Sequence, residues 1–148
     1  MPRAFRICWK LASYLLLLSA AGHTLGHYVA YVDESRFSLT RRALVTAMKA
    51  SAAGGPMHPS TWTMLQMFSL SFSLFLAFAG LANLVLLHAE PPPYIIRRMA
   101  VFNLLFWGIA FLLFLLVHPV IQPIVISGFV ALLYGGALWS LRAQGRSA

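Results

Sequence analysis

Long uncharged runs separated by short basic clusters constrain this chain more than any other feature. The first run, residues 11–32, lies between Lys10 and Asp33 and contains no charged residue. As an α-helix it would extend about 33 Å, which is enough to cross a hydrocarbon layer about 30 Å thick. Two further uncharged runs, residues 50–89 and 99–141, are each too long for one crossing. The sequence therefore predicts a protein with several membrane-spanning helices.

The composition excludes most classes of soluble protein. The 148 residues are 60% hydrophobic and only 9% charged, whereas soluble domains carry about 25% charged residues. An excess of Lys and Arg over Asp and Glu, 11 against 3, is typical of nucleic-acid binding, but here the basic residues flank apolar runs. We therefore expect the lipid bilayer as the surrounding partner and expect no nucleic-acid partner.

Proline and glycine divide the two longer runs. Pro56 and Pro59, with two glycines before them, delay the second span, because proline lacks an N–H donor and glycine is flexible. Pro119 and Pro123 divide the last run into two spans, which a short connection would make antiparallel neighbours. The four predicted spans are residues 11–32, 62–88, 99–117 and 124–141.

These spans predict an all-α fold, an integral membrane four-helix bundle that forms a single domain over residues 1–148. Seven Lys and Arg lie on the side of the two termini, and four lie in the connection between spans one and two. The positive-inside rule then places both termini in the cytoplasm. An alternative is that the basic start, the leucine run and the small residues 19–21 form a cleavable signal peptide, which would leave three spans.

The connection between spans one and two predicts a short helix of its own, at about residues 38–53, with Ser38 as its N-cap. One side of this helix is apolar and the other is mainly basic. The apolar side carries Leu39, Ala43, Leu44, Ala47 and Met48, and the other carries Arg41, Arg42, Val45 and Lys49. We interpret it either as an amphipathic helix in the membrane interface, with its basic side toward phosphates, or as a cap over the mouth of the bundle.

Small residues and two amides predict where the helices pack. In lipid, small residues at regular spacing let helix backbones approach closely, and we expect such stripes to serve packing within the chain rather than dimerisation. The stripes are Gly22, Gly26 and Ala30 in span one, Ser69, Ser73, Ala77 and Gly80 in span two, and Gly128, Ala131 and Gly135 in span four. Asn83 and Asn103 lie at matching depths, so we expect them to pair as structural glue.

Histidines mark the candidate functional site. His23 and His27 are four residues apart and therefore share one face of span one. An ionisable residue inside a membrane is costly, and it is therefore a candidate functional group. Other polar and aromatic residues are expected at a similar level on the outer side. The predicted ligand pocket contains His23, His27, His118, His58, Gln66 and Tyr31.

Three interpretations of these histidines are open. Two imidazoles four residues apart can present two nitrogens to zinc, copper or iron, and His118 would complete a metal site with His23 and His27. Haem bound between His23 and His118 is a variant of this interpretation. Alternatively, the histidines contact a hydrophobic ligand such as a quinone. In the third interpretation they only hydrogen-bond between helices, with Thr24 or Gln66 as a partner.

Residues that several enzyme classes need are missing from the spans. The spans contain no Asp or Glu, and the chain has no Gly-x-Ser-x-Gly turn, so acid–base hydrolysis and proton-coupled transport are disfavoured. The sequence favours a non-enzymatic protein that binds a hydrophobic small molecule or a partner membrane protein through an outward-facing histidine pocket. The alternatives are a metal- or haem-binding redox enzyme subunit and a structural accessory subunit.

The run Gly22-His23-Thr24-Leu25-Gly26-His27 resembles a group of small four-span bacterial membrane proteins that carry a His-Thr-x-Gly-His motif in the first span. The likeness extends to residues 45–48 and 68–72, and so covers about the first half of the chain. The architecture is also similar to that of DoxX-like four-helix membrane proteins. The resemblance implies four spans and highlights the two histidines, but it implies no reaction. We expect a multi-pass protein of a bacterial inner membrane.

Overall fold

The computed structural model describes residues 1–52, 58–117 and 119–144, and nearly all of them are helical. The α-helices are α1 (Arg3–His27), α2 (Leu39–Ala50), α3 (Thr61–His88), α4 (Pro93–Leu116) and α5 (Ile121–Gln144). A π-helical turn, Tyr28–Val32, continues α1, and a 3₁₀ turn, Glu34–Arg36, precedes α2. The described ranges contain no β-strand, so the predicted all-α class is confirmed.

Four of the described helices are long and apolar enough to cross a membrane, as predicted. They are Arg3–Val32, Thr61–His88, Pro93–Leu116 and Ile121–Ala143. The first, third and fourth begin earlier than predicted. Helices α1 and α4 begin before their apolar runs, at basic residues whose long side chains can keep the charge in water while the backbone stays helical. Pro93 and Pro123 stand in the first turns of α4 and α5, where the N–H that proline lacks has no helical partner in any case.

The chain divides into two compact units. The first contains residues 1–18 and 78–148, and the second contains residues 19–77. The first unit therefore consists of the start of α1, the end of α3, and the helices α4 and α5. Its buried core is mainly apolar and aromatic. It includes Phe5, Trp9, Leu16, Ile96, Val130 and Tyr134.

Within the first unit, α4 and α5 pack side by side. A Cβ placed on Gly128 would lie 3.1 Å from the Phe111 ring, and one on Gly135 would lie 3.9 Å from Leu104. The contact moves forward along α5, from Gly128 to Gly135, as it moves backward along α4, from Phe111 to Leu104, so the two helices are antiparallel. This confirms the arrangement that the short connection predicts.

A buried polar network joins the helices of the first unit. Asn83 and Asn103 exchange two amide hydrogen bonds, each 3.3 Å long. The Asn83 side-chain amide also donates to the Tyr134 hydroxyl at 2.8 Å, and the Trp9 indole N–H donates to the backbone carbonyl of Asn83 at 2.8 Å. The predicted amide pair is confirmed, and Tyr134 and Trp9 extend it to helices α5 and α1.

The predicted small-residue packing is confirmed at Gly80 and wrong at Gly22 and Gly26. A Cβ on Gly80 would lie 2.8 Å from the backbone oxygen of Ser13, so only glycine fits there without a shift. At Gly22 and Gly26 an added Cβ would meet no atom of the described residues within 4 Å, and both glycines are exposed. Helix α1 is rotated about its axis so that His23 and His27, rather than the two glycines, face α3.

The two kinds of glycine predict opposite responses to an added methyl group. Gly80→Ala is expected to lower the free energy of unfolding by about 1–3 kcal/mol, because a backbone atom blocks the new Cβ. Gly22→Ala, the matched control, is expected to leave stability unchanged or slightly higher, since alanine favours helix and the space is open. Unfolding in mixed micelles, followed by circular dichroism, measures both. Equal effects of the two changes would contradict the close contact.

The Tyr134 hydroxyl is expected to contribute measurably to the polar network. Tyr134→Phe removes one partner of the Asn83 amide and keeps the ring, so we expect a loss of about 0.6–1.7 kcal/mol of stability. Tyr14→Phe is the control, since the Tyr14 side chain is exposed and has no hydrogen bond within the described chain. The same unfolding measurement applies. A loss no larger in Tyr134→Phe than in Tyr14→Phe would show that the network does not depend on this hydroxyl.

Candidate functional site

Helices α1 and α3 hold the two histidines within the second unit. The His23 Nε2 atom lies 2.9 Å from the Ser69 hydroxyl oxygen. One turn further along α1, His27 Nε2 hydrogen-bonds to the Gln66 side-chain oxygen. From His23 to His27 the chain advances four residues along α1, while the bonded partner moves back three residues along α3, from Ser69 to Gln66. This opposite direction is what two antiparallel helices require. Each imidazole thus links the two helices through one of its nitrogens.

Aromatic rings surround the two imidazoles. His23 meets the Phe72 ring edge-to-face, with centroids 5.1 Å apart. The His27 ring lies 5.3 Å from Tyr31, and Tyr31 in turn lies 6.2 Å from Trp62. His27, Tyr31 and Trp62 therefore form a row of rings, which we call the aromatic row. His27 is buried, and His23 is partly exposed.

The hydrogen bonds define what the remaining ring nitrogens can do. Because the Gln66 oxygen accepts, His27 Nε2 carries the proton, and the Nδ1 of the neutral ring is an acceptor. Neither Nδ1 is hydrogen-bonded to any group in the described chain. Thr24 does not pair with either histidine, since its hydroxyl donates to the Ala20 carbonyl at 2.9 Å. Of the two partners considered from the sequence, Gln66 is the one observed.

A buried hydroxyl without a partner lies one turn along α3 from Ser69. Ser73 is 7% exposed, and its oxygen has no hydrogen-bond partner among the described residues. An unsatisfied buried hydroxyl costs about 1–3 kcal/mol. Ser73 is therefore a polar group of α3 with unused hydrogen-bonding capacity, in addition to the two ring nitrogens on α1.

Helix α2 places its basic side on the aromatic residues of the same unit. The Arg41 guanidinium lies 5.5 Å from the Tyr31 ring and 5.7 Å from the Phe37 ring, and the Lys49 ammonium lies 5.7 Å from Trp62. Such cation–π contacts stabilise a charge over the face of a ring. The basic side of α2 thus faces the aromatic row, which neither interpretation from the sequence predicted.

The apolar side of α2 is exposed. Leu39 is 86% exposed and Leu44 is 58% exposed, whereas Val45, on the basic side, is only 4% exposed. The helix is shorter than the predicted range of 38–53, since it ends at Ala50, and residues 53–57 lie outside the described residues. The predicted N-cap is confirmed: the Ser38 hydroxyl oxygen accepts from the Arg41 backbone N–H at 3.3 Å.

Two ion pairs order the turn between α1 and α2. Lys49 bonds Glu34 at 2.6 Å, and Arg36 bonds Asp33 at 2.8 Å. The Ser35 hydroxyl also donates to the Asp33 carboxylate. This hydrogen bond, together with the charge of Arg36, holds the pKa of Asp33 below its usual value. The Asp33 carboxylate therefore stays ionised beside Arg36 to a lower pH than an unperturbed aspartate would.

The structure does not bring all the predicted pocket residues together. His23, His27, Gln66 and Tyr31 belong to one cluster, as described above. His58 is exposed in the connection before α3, with a left-handed backbone (φ 44°), and it bonds to neither histidine. His118 lies outside the described residues, so its place in the pocket and in the metal set stays a prediction. Within the described ranges no three His, Cys, Asp or Glu side chains form a group that could hold a metal ion.

Several contacts of the site were not predicted from the sequence. They involve Ser69, Phe72, Trp62, Arg41 and Lys49. One signal was available for Ser69: polar residues three apart on span two, Gln66 and Ser69, complement histidines four apart on an antiparallel neighbour. The ring and cation contacts have no comparable signal, because they depend on how each helix is rotated about its axis.

Comparison of the chain with protein-family models, curated proteins and solved structures gives no match. The resemblance through residues 22–27 therefore stays a prediction. The functional argument depends on the geometry of the second unit.

The hydrogen bond between His27 and Gln66 is expected to appear as a coupling between the two positions. In a double-mutant cycle with His27→Ala and Gln66→Ala we expect a coupling energy of about 0.6–1.7 kcal/mol. Met67→Ala replaces Gln66→Ala in the control cycle, because Met67 is the next residue and is 59% exposed. Micellar unfolding gives the four free energies of each cycle. A coupling as small as that of the control would mean that the hydrogen bond contributes nothing.

Proposed function

We propose that this chain is a non-enzymatic, multi-pass protein of a bacterial inner membrane, with both termini in the cytoplasm. In this proposal it binds a hydrophobic ligand with a polar head through the outward-facing cluster of His23 and His27. The observation that carries the proposal is that only one of the two nitrogens in each imidazole is hydrogen-bonded to a described residue. Nε2 is bonded to α3, and Nδ1 has no partner in the described chain.

The chemistry of the cluster indicates what kind of ligand would fit. The Nδ1 atom of His27 has the capacity to accept a hydrogen bond, so in this proposal it selects a ligand with a hydroxyl or N–H group. Ser73 supplies a further unpaired hydroxyl, and the rings of Phe72 and Trp62 favour flat apolar groups. A membrane-soluble hydroquinone combines these features. In the proposed pocket, Tyr31 and Gln66 hold His27 in place, and His118 and His58 are further candidate contacts.

The surroundings of the cluster support a position near the membrane interface. Aromatic residues beside Lys and Arg, such as Tyr31 and Trp62 beside Arg41 and Lys49, are typical of the headgroup level. The exposed leucines of α2 would then face the acyl chains, as in helices that lie along the membrane surface. A ligand dissolved in the bilayer would reach the histidines from the lipid side.

The proposal predicts selective stabilisation by a hydroquinone. A decyl-chain benzohydroquinone should raise the midpoint of thermal unfolding of the detergent-purified protein, because binding only to the folded state stabilises it. The oxidised quinone lacks the O–H donor and should bind at least about fivefold more weakly, since one hydrogen bond to the ring nitrogen is lost. His27→Ala should abolish the effect. His88→Ala should retain it, since His88 is an exposed residue at the end of α3.

Three results would count against hydroquinone binding. They are equal stabilisation by both oxidation states, no stabilisation by either, and an unchanged effect in His27→Ala. Elemental analysis and a visible absorption spectrum of the same preparation test the redox-subunit alternative. A bound transition metal or a haem band that is lost in His23→Ala would favour that alternative.

A second candidate function is docking onto a partner membrane protein, as a structural accessory subunit. The open face at Gly22 and Gly26 favours it, because small exposed residues let a second helix approach closely. Gly22→Leu would block such a contact without disturbing the chain's own packing. A complex that is seen in native membranes for wild-type protein and His27→Ala, but is lost in Gly22→Leu, would support this second function over ligand binding.

A further inference from the structure

A basic groove lies between the beginning of α4 and the end of α5, within the first unit. Its volume is about 840 Å³, and its lining includes Tyr94, Arg97, Arg98, Val101, Leu141 and Arg142. The three arginines and Tyr94 are exposed. The groove shares no residue with the histidine cluster, and the ligand proposed there does not explain it.

The positive charge of this groove is not neutralised by any acidic side chain. The whole chain contains 3 Asp and Glu residues, and each of them pairs elsewhere. Asp33 bonds Arg36, Glu34 bonds Lys49, and Glu90 bonds Arg6 at 3.0 Å. The three groove arginines have no ion pair with any described residue. Three guanidinium groups around one concave surface, without a counter-charge from the described residues, form a site for an anion.

An aromatic ring, a helix N-terminus and apolar side chains accompany the arginines of the groove. The Arg98 guanidinium lies over the Tyr94 ring, 5.9 Å from its centroid, which limits its freedom. Helix α4 begins at this end with proline in its first turn and no side-chain cap, so the positive end of the helix dipole adds to the arginine charge. Val101 and Leu141 add apolar surface beside the arginines, on helices apolar enough to span the membrane.

We propose that this groove binds the headgroup of an anionic phospholipid. The phosphodiester would contact Arg97, Arg98 and Arg142, and an acyl chain would lie along Val101 and Leu141. Basic pockets between membrane-spanning helices bind anionic lipids in this way. Free phosphate has the same anionic chemistry, but the apolar side chains beside the arginines favour a lipid. The proposal holds whether or not the histidine cluster binds a ligand.

The test measures phospholipid binding to the full chain in detergent, by native mass spectrometry and thermal unfolding. Phosphatidylglycerol is compared with phosphatidylcholine of the same acyl chains and with inorganic phosphate. Arg97→Gln with Arg142→Gln removes two groove charges. Arg3→Gln with Arg42→Gln is the matched control, because both of its arginines are exposed and lie outside the groove. Arg97→Lys with Arg142→Lys retains the charge.

We expect phosphatidylglycerol to bind at least about tenfold more tightly than phosphatidylcholine. Its affinity should fall about fivefold for each groove arginine removed, hence about twenty-five-fold in the glutamine variant. The control should change less than about twofold, and the lysine variant should recover most of the affinity. Equal binding of the two lipids, or equal losses in the groove and control variants, would overturn the proposal. Stabilisation by inorganic phosphate as large as that by phosphatidylglycerol would replace the lipid with a free anion.

Discussion

Lipid offers no hydrogen bonds, so every polar group inside a membrane helix needs a partner in the protein. Two separate clusters in the described chain differ in how fully they meet this constraint. In one, Asn83 and Asn103 bond each other and Tyr134. In the other, His23 and His27 bond α3 through Ser69 and Gln66. The first cluster is satisfied and serves the fold. The second has unused ring nitrogens and a neighbouring serine without a partner, and it is therefore the better candidate for binding.

Hydropathy and the spacing of charges predict most of the fold. They give four spans, the pairing of α4 with α5, and the Asn83–Asn103 contact, because each of these depends on length or depth alone. They misplace the beginnings of α1, α4 and α5. A helix does not stop where its apolar run stops, and proline is no barrier in a first turn.

The site could be predicted only in part, because the sequence does not give the rotation of each helix about its own axis. The histidine spacing identifies a face of α1, and Gln66 was recognised as a partner. A span that is apolar around most of its circumference, however, does not show which face meets its neighbour. The same ambiguity made Gly22 and Gly26 look like packing residues, although they are exposed. It also hid the contacts of Arg41 and Lys49 with aromatic rings, since cation–π contacts leave no periodic pattern in the sequence.

The π-helical turn at the end of α1 has a consequence for the aromatic row. Its hydrogen bond runs from the Asp33 N–H to the Tyr28 carbonyl, five residues back, at 3.0 Å. Each π-helical turn accommodates one residue more than an α-helical turn, so every side chain beyond it is displaced around the helix axis. Tyr31 lies within this turn, and its ring stands between those of His27 and Trp62. A homologous chain with one residue fewer in this turn would direct α2, whose Arg41 and Lys49 contact the aromatic row, to a different side of the α1 axis.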